Sequence, residues 1–492
     1  MTLTKVRKRL QKISDTQVVL IALALGAFVR FLNMAKGSIW HDEGYTMMLA
    51  PQSPAQIIAR TARDVHPPLY YITLHYWMKV FGSSEVGARS LSAVAMLGVV
   101  IIGFLLVREL FGRPAARLSA LFLALGPFLV RYSQEARMYG LAAFFAILAT
   151  YLLVMALKKD NNKWWIGYSL SIAAGLYTHY YIVFIVLLHW IYVLVSRKPK
   201  VAIKNRKWWF SNIASAALFA PWLPSAYHQF TRVQAGFWIA KPTALTLPST
   251  LAQFLTFTDL GAIGNTLRLL TFVAFLALVV WFAVRREYWP KAALIAGLTF
   301  LAPMVVLVLS LKRPIYVDRY FVFAAAGFYM LLAILLYTTK PWQHSAWLRI
   351  TSIVILVGIF SVGIINVYSQ ATHRMKLVGE YVNQRYQPGD GLISGELYTY
   401  FDFSYYNHTG VTAQLLAPGG VNGYGESSLL YDRSAQIVVR HFSDMHPATG
   451  RVWVIGKPGN NGDFKVPANW KELEEYQISD SKVERFQILP QG

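Results

Sequence analysis

The chain has no cysteine among its 492 residues, which excludes disulfides, thiolate metal sites and a cysteine nucleophile. Charge is scarce as well. Asp, Glu, Lys and Arg supply 14% of the residues against 55% hydrophobic ones, roughly half the charged share of a soluble domain. Acid is scarcest of all, because only eleven of the 24 Asp and Glu lie between Met1 and Gln370. There is no internal repeat, no low-complexity tract and no regular dinucleotide fingerprint, so no organic cofactor is assigned. With a positive mean hydropathy, these shortages exclude a soluble globular enzyme and point to a helix bundle in lipid. The net charge of +23 does not point to nucleic acid, since the basic residues flank apolar runs as orientation signals do.

Those runs fall near residues 17–32, 86–107, 115–130, 138–157, 164–179, 181–196, 209–226, 266–284, 292–311, 318–338 and 348–368. The fold class expected is therefore an α-helical integral membrane protein with about eleven transmembrane helices. Lys5, Arg7, Lys8, Arg9 and Lys12 precede the first run, and further runs follow it, so it reads as an uncleaved anchor with the N-terminus in the cytoplasm. Loops placed inside by that orientation carry 22 of the 47 Lys and Arg. The loop 33–84 then lies outside. Within it, Pro67 and Pro68 start a helix that is rich in Tyr and Trp and ends at Phe81-Gly82, short enough to lie on the outer surface as a juxtamembrane helix.

From about Thr372 acids and bases come close to balance. Gly389–Gly395 and Arg451–Lys457 read as buried strands closed by glycine. A small C-terminal extracytoplasmic α/β domain is expected over 370–492, after a membrane domain over 1–369 whose catalytic outer loop is 33–84.

Three polar clusters stand on the outer side. They are Trp40-His41-Asp42-Glu43-Gly44-Tyr45-Thr46, Asp64-Val65-His66-Pro67-Pro68-Leu69-Tyr70-Tyr71, and Ser133-Gln134-Glu135-Ala136-Arg137-Met138-Tyr139. Adjacent carboxylates beside a bilayer are costly and need a reason. Asp318, Arg319 and Tyr320 fall on the same side, as does His179 with Tyr180 and Tyr181. No nucleotide is available there, so an activated donor has to be carried by lipid. None of the acids sits mid-span, where transporters place ion relays.

These motifs, with Phe81-Gly82-Ser83-Ser84, Arg89 and the weaker Asp318-Arg319-Tyr320-Phe321, resemble the polytopic glycosyltransferases of the C superfamily. The likeness is to the branch of the protein mannosyltransferases and aminoarabinose transferases and covers most of residues 1–340. It implies transfer of a sugar from a polyprenyl-phosphate donor to a glycan, lipid or protein acceptor outside the cytoplasm, with inversion, by a multi-pass protein of the plasma (inner) membrane. An attacking hydroxyl must lose its proton, and a carboxylate can take it. The resemblance makes Asp42 that base, with Glu43 binding the sugar or orienting the loop; the alternative is that both acids cap a helix running through Tyr45 and Met47. The leaving phosphate needs cations, and Arg forks match its oxygens, which selects Arg137 with Tyr139 and Arg319 with Tyr320. Anchoring at the membrane interface is the competing reading for Arg137, Arg319 and Tyr320.

Asp64 and His66 are candidates to bind substrate or, with Glu43 or Glu135, a divalent metal ion. The loop 227–265, with Gln234, Trp238, Lys241 and Asp259, is a candidate cover for the donor. A flippase or transporter of a lipid-linked sugar is the other class to weigh.

Overall fold

The computed structural model describes residues 14–195, 204–232, 239–257, 287–370, 374–457 and 466–490, with scattered positions between 269 and 285. The N-terminal basic cluster, most of the 266–284 run, and Gln234, Trp238 and Asp259 lie outside the described residues. The chain forms two compact units. One comprises Met1–Leu32, Arg89–Tyr227 and Thr231–Ser369, the other Asn33–Ala88, His228–Phe230 and Gln370–Gly492.

The first unit is built of apolar helices. Among the described residues five are long and apolar enough to cross a membrane: Glu85–Phe111, Tyr139–Lys159, Lys291–Ser310, Asp318–Thr338 and Ala346–Ser369. Other runs read from the sequence also become helices, but shorter ones, at Asp15–Phe31 and Asn162–Thr178 with 17 residues each and Ile182–Val195 with 14. At about 1.5 Å per residue these reach only some 20–26 Å. The 209–226 run is interrupted by a 3-10 turn at Ala220–Trp222 and resumes to Arg232. At helix ends of this unit, acids meet bases. Asp15 pairs with Arg117 at 2.8 Å and Arg113 at 3.2 Å, and Glu109 with Lys158 at 2.7 Å.

The 115–130 run is not one straight helix. Arg113–Leu125 and Pro127–Ser133 meet at 50°, and the cause is Pro127, which has no N–H to give the Leu123 carbonyl four residues back. The Phe128 N–H turns instead to the Tyr329 hydroxyl at 3.2 Å, so the Ala124 carbonyl also loses its helical donor. Fully buried Arg30 replaces both, donating to Leu123 O at 2.9 Å and Ala124 O at 2.6 Å. Without water nearby, such carbonyls have to be satisfied by the protein. Gly126 is needed at the corner because a Cβ there would sit 2.3 Å from the Tyr329 ring. The break starts the short helix that delivers Ser133-Gln134-Glu135-Ala136-Arg137.

In the second unit, helices are numbered α1 His41–Leu49, α2 Pro54–Thr61, α3 Leu69–Phe81, α4 Met375–Arg385 and α5 Leu397–Tyr406. Its strands are β1 Gly391–Ser394, β2 Gln414–Leu416, β3 Val438–Val439, β4 Arg451–Gly456, β5 Trp470–Ile478 and β6 Ser481–Ile488. They form one sheet in the order β3-β2-β1-β4-β6-β5, parallel from β3 to β4 and closed by an antiparallel hairpin. Ile393, Val452, Val454, Phe442, Trp470 and Phe486 pack its core. Helix α3 ends at Gly82, whose φ of 80° suits glycine, as the sequence pattern predicts. The outer loop read from sequence over 33–84 falls within the segment Asn33–Ala88 that groups with the sheet.

The sheet is pinned by Asp390, buried at the N-terminal ends of the central strands β1 and β4. Its carboxylate accepts from Thr449 Oγ1 at 2.7 Å, Arg451 Nε at 2.8 Å and Trp453 Nε1 at 3.1 Å. Burial alone would raise its pKa, but these bonds and one from the Gln387 amide outweigh it and hold the value below the usual one. A lowered folded pKa stabilises the fold above the unfolded value, and that stability is lost as pH falls through the folded value. Asp390→Ala is expected to cost about 3 kcal/mol at neutral pH. Relative to Asp390→Asn, the wild type should lose its advantage below about pH 4. Unfolding in detergent followed by Trp453 fluorescence checks both; equal pH profiles for wild type and Asp390→Asn would count against the linkage.

Candidate active site

Helix α1 opens on the first motif. Its N-cap is Trp40, whose side chain makes no capping bond, and His41, Asp42 and Glu43 form the first turn. Neither acid is therefore the cap residue, although negative charge in a first turn is favourable. Asp42 is 7% exposed and Glu43 not at all, so two neighbouring carboxylates are withdrawn from water. Such placement calls for a functional reason.

The backbone of α1 meets α5 with no slack. A Cβ on Gly44 would lie 2.7 Å from the Phe401 carbonyl carbon and 3.0 Å from the Asp402 nitrogen. Only glycine lets the helices touch there. Gly44→Ala is expected to force the pair apart at a cost of about 1–3 kcal/mol and to disturb Asp42 and Glu43 on the turn before. Thermal unfolding and activity measured together check this, and an unchanged melting point would refute it.

Around that contact stand groups that the sequence pattern does not select. His41 Nε2 is 2.6 Å from Glu426 Oε2 and 3.8 Å from Asp42 Oδ1, and its ring meets Tyr398 edge-on at 4.1 Å. Asp402, on α5, is 2% exposed. Burial pushes its pKa well above the carboxylate value, partly offset by Lys457, while Asp480, Glu43 and Asp42 push the same way as burial. The Tyr398 hydroxyl is raised by burial and by Glu426, Glu396 and Asp42. His41 is visible inside the motif, but nothing local in the sequence marks Glu426, Tyr398 or Asp402 as its neighbours.

The second motif joins the same unit. Asp64, 3% exposed, has Oδ2 at 3.4 Å from His66 Nδ1. The Arg63 carbonyl accepts from the Gly425 amide at 2.9 Å, and Arg60 reaches Ser428 O at 2.9 Å and Asp432 at 2.5 Å. The 60–66 segment is thus tied to the turn that carries Glu426. The geometry adds a candidate metal set that the sequence does not suggest. Among the described residues of this cluster, the three ligand atoms within 4.8 Å of one another belong to His41, Asp42 and Glu426, one imidazole and two carboxylates of the kind a divalent ion such as zinc accepts.

The third motif belongs to the first unit. Glu135 is 2% exposed and paired with Arg131 at 2.5 Å, an ion pair between the short helix and the residue just beyond its end. Arg137 is buried, and its carbonyl accepts from Ser92 Oγ at 3.1 Å. Tyr139 and Tyr320 come together with ring centroids 6.0 Å apart, and His179 lies 5.0 Å from Tyr320 and 6.2 Å from Tyr139. Tyr181 completes the cluster at 5.2 Å from Tyr320. The turn carrying Arg319 and Tyr320 is fixed by Asp318, which accepts from Thr250 Oγ1 at 2.5 Å and Gln253 Nε2 at 2.8 Å. The structure therefore gathers Tyr139, His179 and Tyr320, and Asp318 serves as their anchor.

Comparison with known proteins bears on this arrangement. Residues 65–224 match the family described as dolichyl-phosphate-mannose-protein mannosyltransferase. Over 112 residues the chain is 29% identical to YkcB of Bacillus subtilis (strain 168), which its name assigns provisionally to the mannosyltransferases; the match spans 23% of this chain and 16% of that relative. The structure of ArnT from Cupriavidus metallidurans bound to undecaprenyl phosphate superposes with a TM-score of 0.66 at 13% identity, over 96% of this chain and 98% of that one. The chain shares the fold of that ArnT structure. An Archaeoglobus fulgidus oligosaccharyltransferase in the apo form agrees more loosely, with a TM-score of 0.52 at 11% identity over 91% of this chain and 70% of that one. The likeness of fold thus extends over nearly the full length, beyond the stretch that the family model and the curated relative match.

Proposed function

We propose that this chain is a membrane glycosyltransferase that moves a sugar from a polyprenyl-phosphate donor to an acceptor hydroxyl on the extracytoplasmic face of the plasma membrane. The observation that carries the reading is the buried Asp42-Glu43 pair in the first turn of α1, in a chain whose fold matches a protein crystallised with undecaprenyl phosphate. Asp42 accepts the proton of the attacking hydroxyl. The acceptor oxygen bonds to the anomeric carbon, the bond from that carbon to the phosphate oxygen breaks, and the configuration inverts. The prenyl phosphate leaves with the electron pair, and Arg137 and Arg319 are assigned to its charge, with Tyr139 and Tyr320 beside them. Glu43, Asp64 and His66 are assigned to holding substrate. His41, Asp42 and Glu426 fit a divalent ion, which would orient bound oxygens.

The test is turnover of radiolabelled polyprenyl-phosphate sugars by the purified protein in detergent with native lipid extract. Label leaving the lipid phase with one donor of the panel is the expected result. Binding of these lipids without any loss of label, together with their movement across proteoliposomes, would replace this reading with that of a flippase.

A further inference from the structure

A cavity of about 570 Å³ opens in the second unit beside α1, lined by none of the groups that surround His41. Its floor is Met47, Met48 and Met78, and its wall carries Glu85, Lys376 and Tyr405. The wall is a connected polar network. Glu85 Oε1 accepts from Lys376 Nζ at 3.3 Å and from the Tyr406 hydroxyl at 3.2 Å, and that hydroxyl accepts from the Ile39 amide at 2.6 Å. The Lys376 amide donates to Ser38 Oγ at 3.1 Å, and the Tyr405 hydroxyl is held by the Ser83 carbonyl at 2.9 Å. Through Ser38 and Ile39 the network leads to the residues just before Trp40-His41-Asp42.

The cavity is also in register with the acids. Met47 lies four residues after Glu43, so the two share one face of α1, about 6 Å apart along the axis. A group bound over Met47 is about one helical turn from Glu43.

We infer that this cavity binds the sugar portion of the acceptor. Its lining has what a polyhydroxylated ring needs: tyrosine rings, hydroxyl groups, an ammonium with donors to spare, a carboxylate, and pliable thioethers for the C–H faces. An acyl chain would fit the methionine floor but would strip water from Lys376 and Glu85 without replacing it, which is costly. The inference rests on the proposed transferase activity only in calling the bound sugar an acceptor; the binding itself does not depend on it.

The experiment uses the full-length protein in detergent and a panel of hexose and N-acetylhexosamine oligosaccharides, with binding read by saturation-transfer NMR and titration. Ser404, on α5, lines the cavity. Ser404→Trp and Met48→Trp should fill it and weaken binding of the recognised saccharide by at least about 10-fold, whereas Lys471→Ala, at an exposed position on β5 outside the cavity lining, should bind as the wild type does. Size-exclusion profiles and melting points show that the Trp variants are folded. Failure of every saccharide to bind, or equal binding by folded Trp variants, overturns the proposal, as does displacement by phospholipid alone. Turnover of labelled donor by the wild type is scored separately, so loss of the transferase reading would leave the binding result standing.

Discussion

Asp42→Asn should leave a folded protein that binds its lipid-linked donor and transfers almost nothing. The amide keeps the size and hydrogen-bonding shape of the carboxylate and removes its capacity to take a proton. A positioned general base contributes about 10²–10⁴-fold, so the turnover number should fall by that factor while donor affinity changes by no more than about threefold. Parallel assays of donor binding and label transfer make the split visible. Transfer within tenfold of the wild type would remove Asp42 from the role of base, and Glu43 would be the next acid to examine. Asp402→Asn is the informative contrast. Burial already favours the protonated form of Asp402, which the amide imitates, so its effect on turnover is expected to be far smaller.

Arg30→Met should destabilise the membrane unit severely. Methionine fills much of the same space yet leaves the Leu123 and Ala124 carbonyls without the donors that Arg30 supplies at 2.9 and 2.6 Å. A buried acceptor left without a partner costs about 1–3 kcal/mol, so the two together amount to about 2–6 kcal/mol. Arg30→Lys keeps the charge but loses the fork that reaches both oxygens, and should fall between wild type and Arg30→Met. Unfolding in detergent provides the measurement, and a melting point for Arg30→Met within a degree or two of wild type would show that the break at Pro127 is satisfied in another way. Because Gln134 donates to the carbonyls of Arg30 and Leu32, the third motif should loosen along with the break.

Much of the helical pattern is readable from the chain alone, for local reasons. The Pro pair and Gly82 bracket α3, the glycine-closed apolar stretches become β1 and β4, and most of the apolar runs become helices. Lengths are less readable, because a hydrophobic run does not reveal a break such as Gly126-Pro127 or the 3-10 turn at Ala220–Trp222. Within the site, Asp42, Glu43, Asp64 and His66 stand out as acids and imidazoles in an otherwise apolar region. Glu426, Tyr398 and Asp402 do not, since they reach α1 through the tertiary packing of α5 and the turn at Gly425. The same holds for a candidate metal set: proximity along the chain suggests Asp64 with His66, and proximity in space adds a second set, His41, Asp42 and Glu426.

The second unit is discontinuous, with the acids on residues 33–88 and their surroundings on residues 370–492. During synthesis the acid-bearing segment emerges first and has to wait while the helices in between are made. Gly44 has nothing to pack against until Phe401 and Asp402 exist. A chain stopped after Ser369 is therefore expected to expose the 41–66 segment to added protease, while the full chain protects it. The surroundings of Asp42 are thus complete only once the last quarter of the chain has been made.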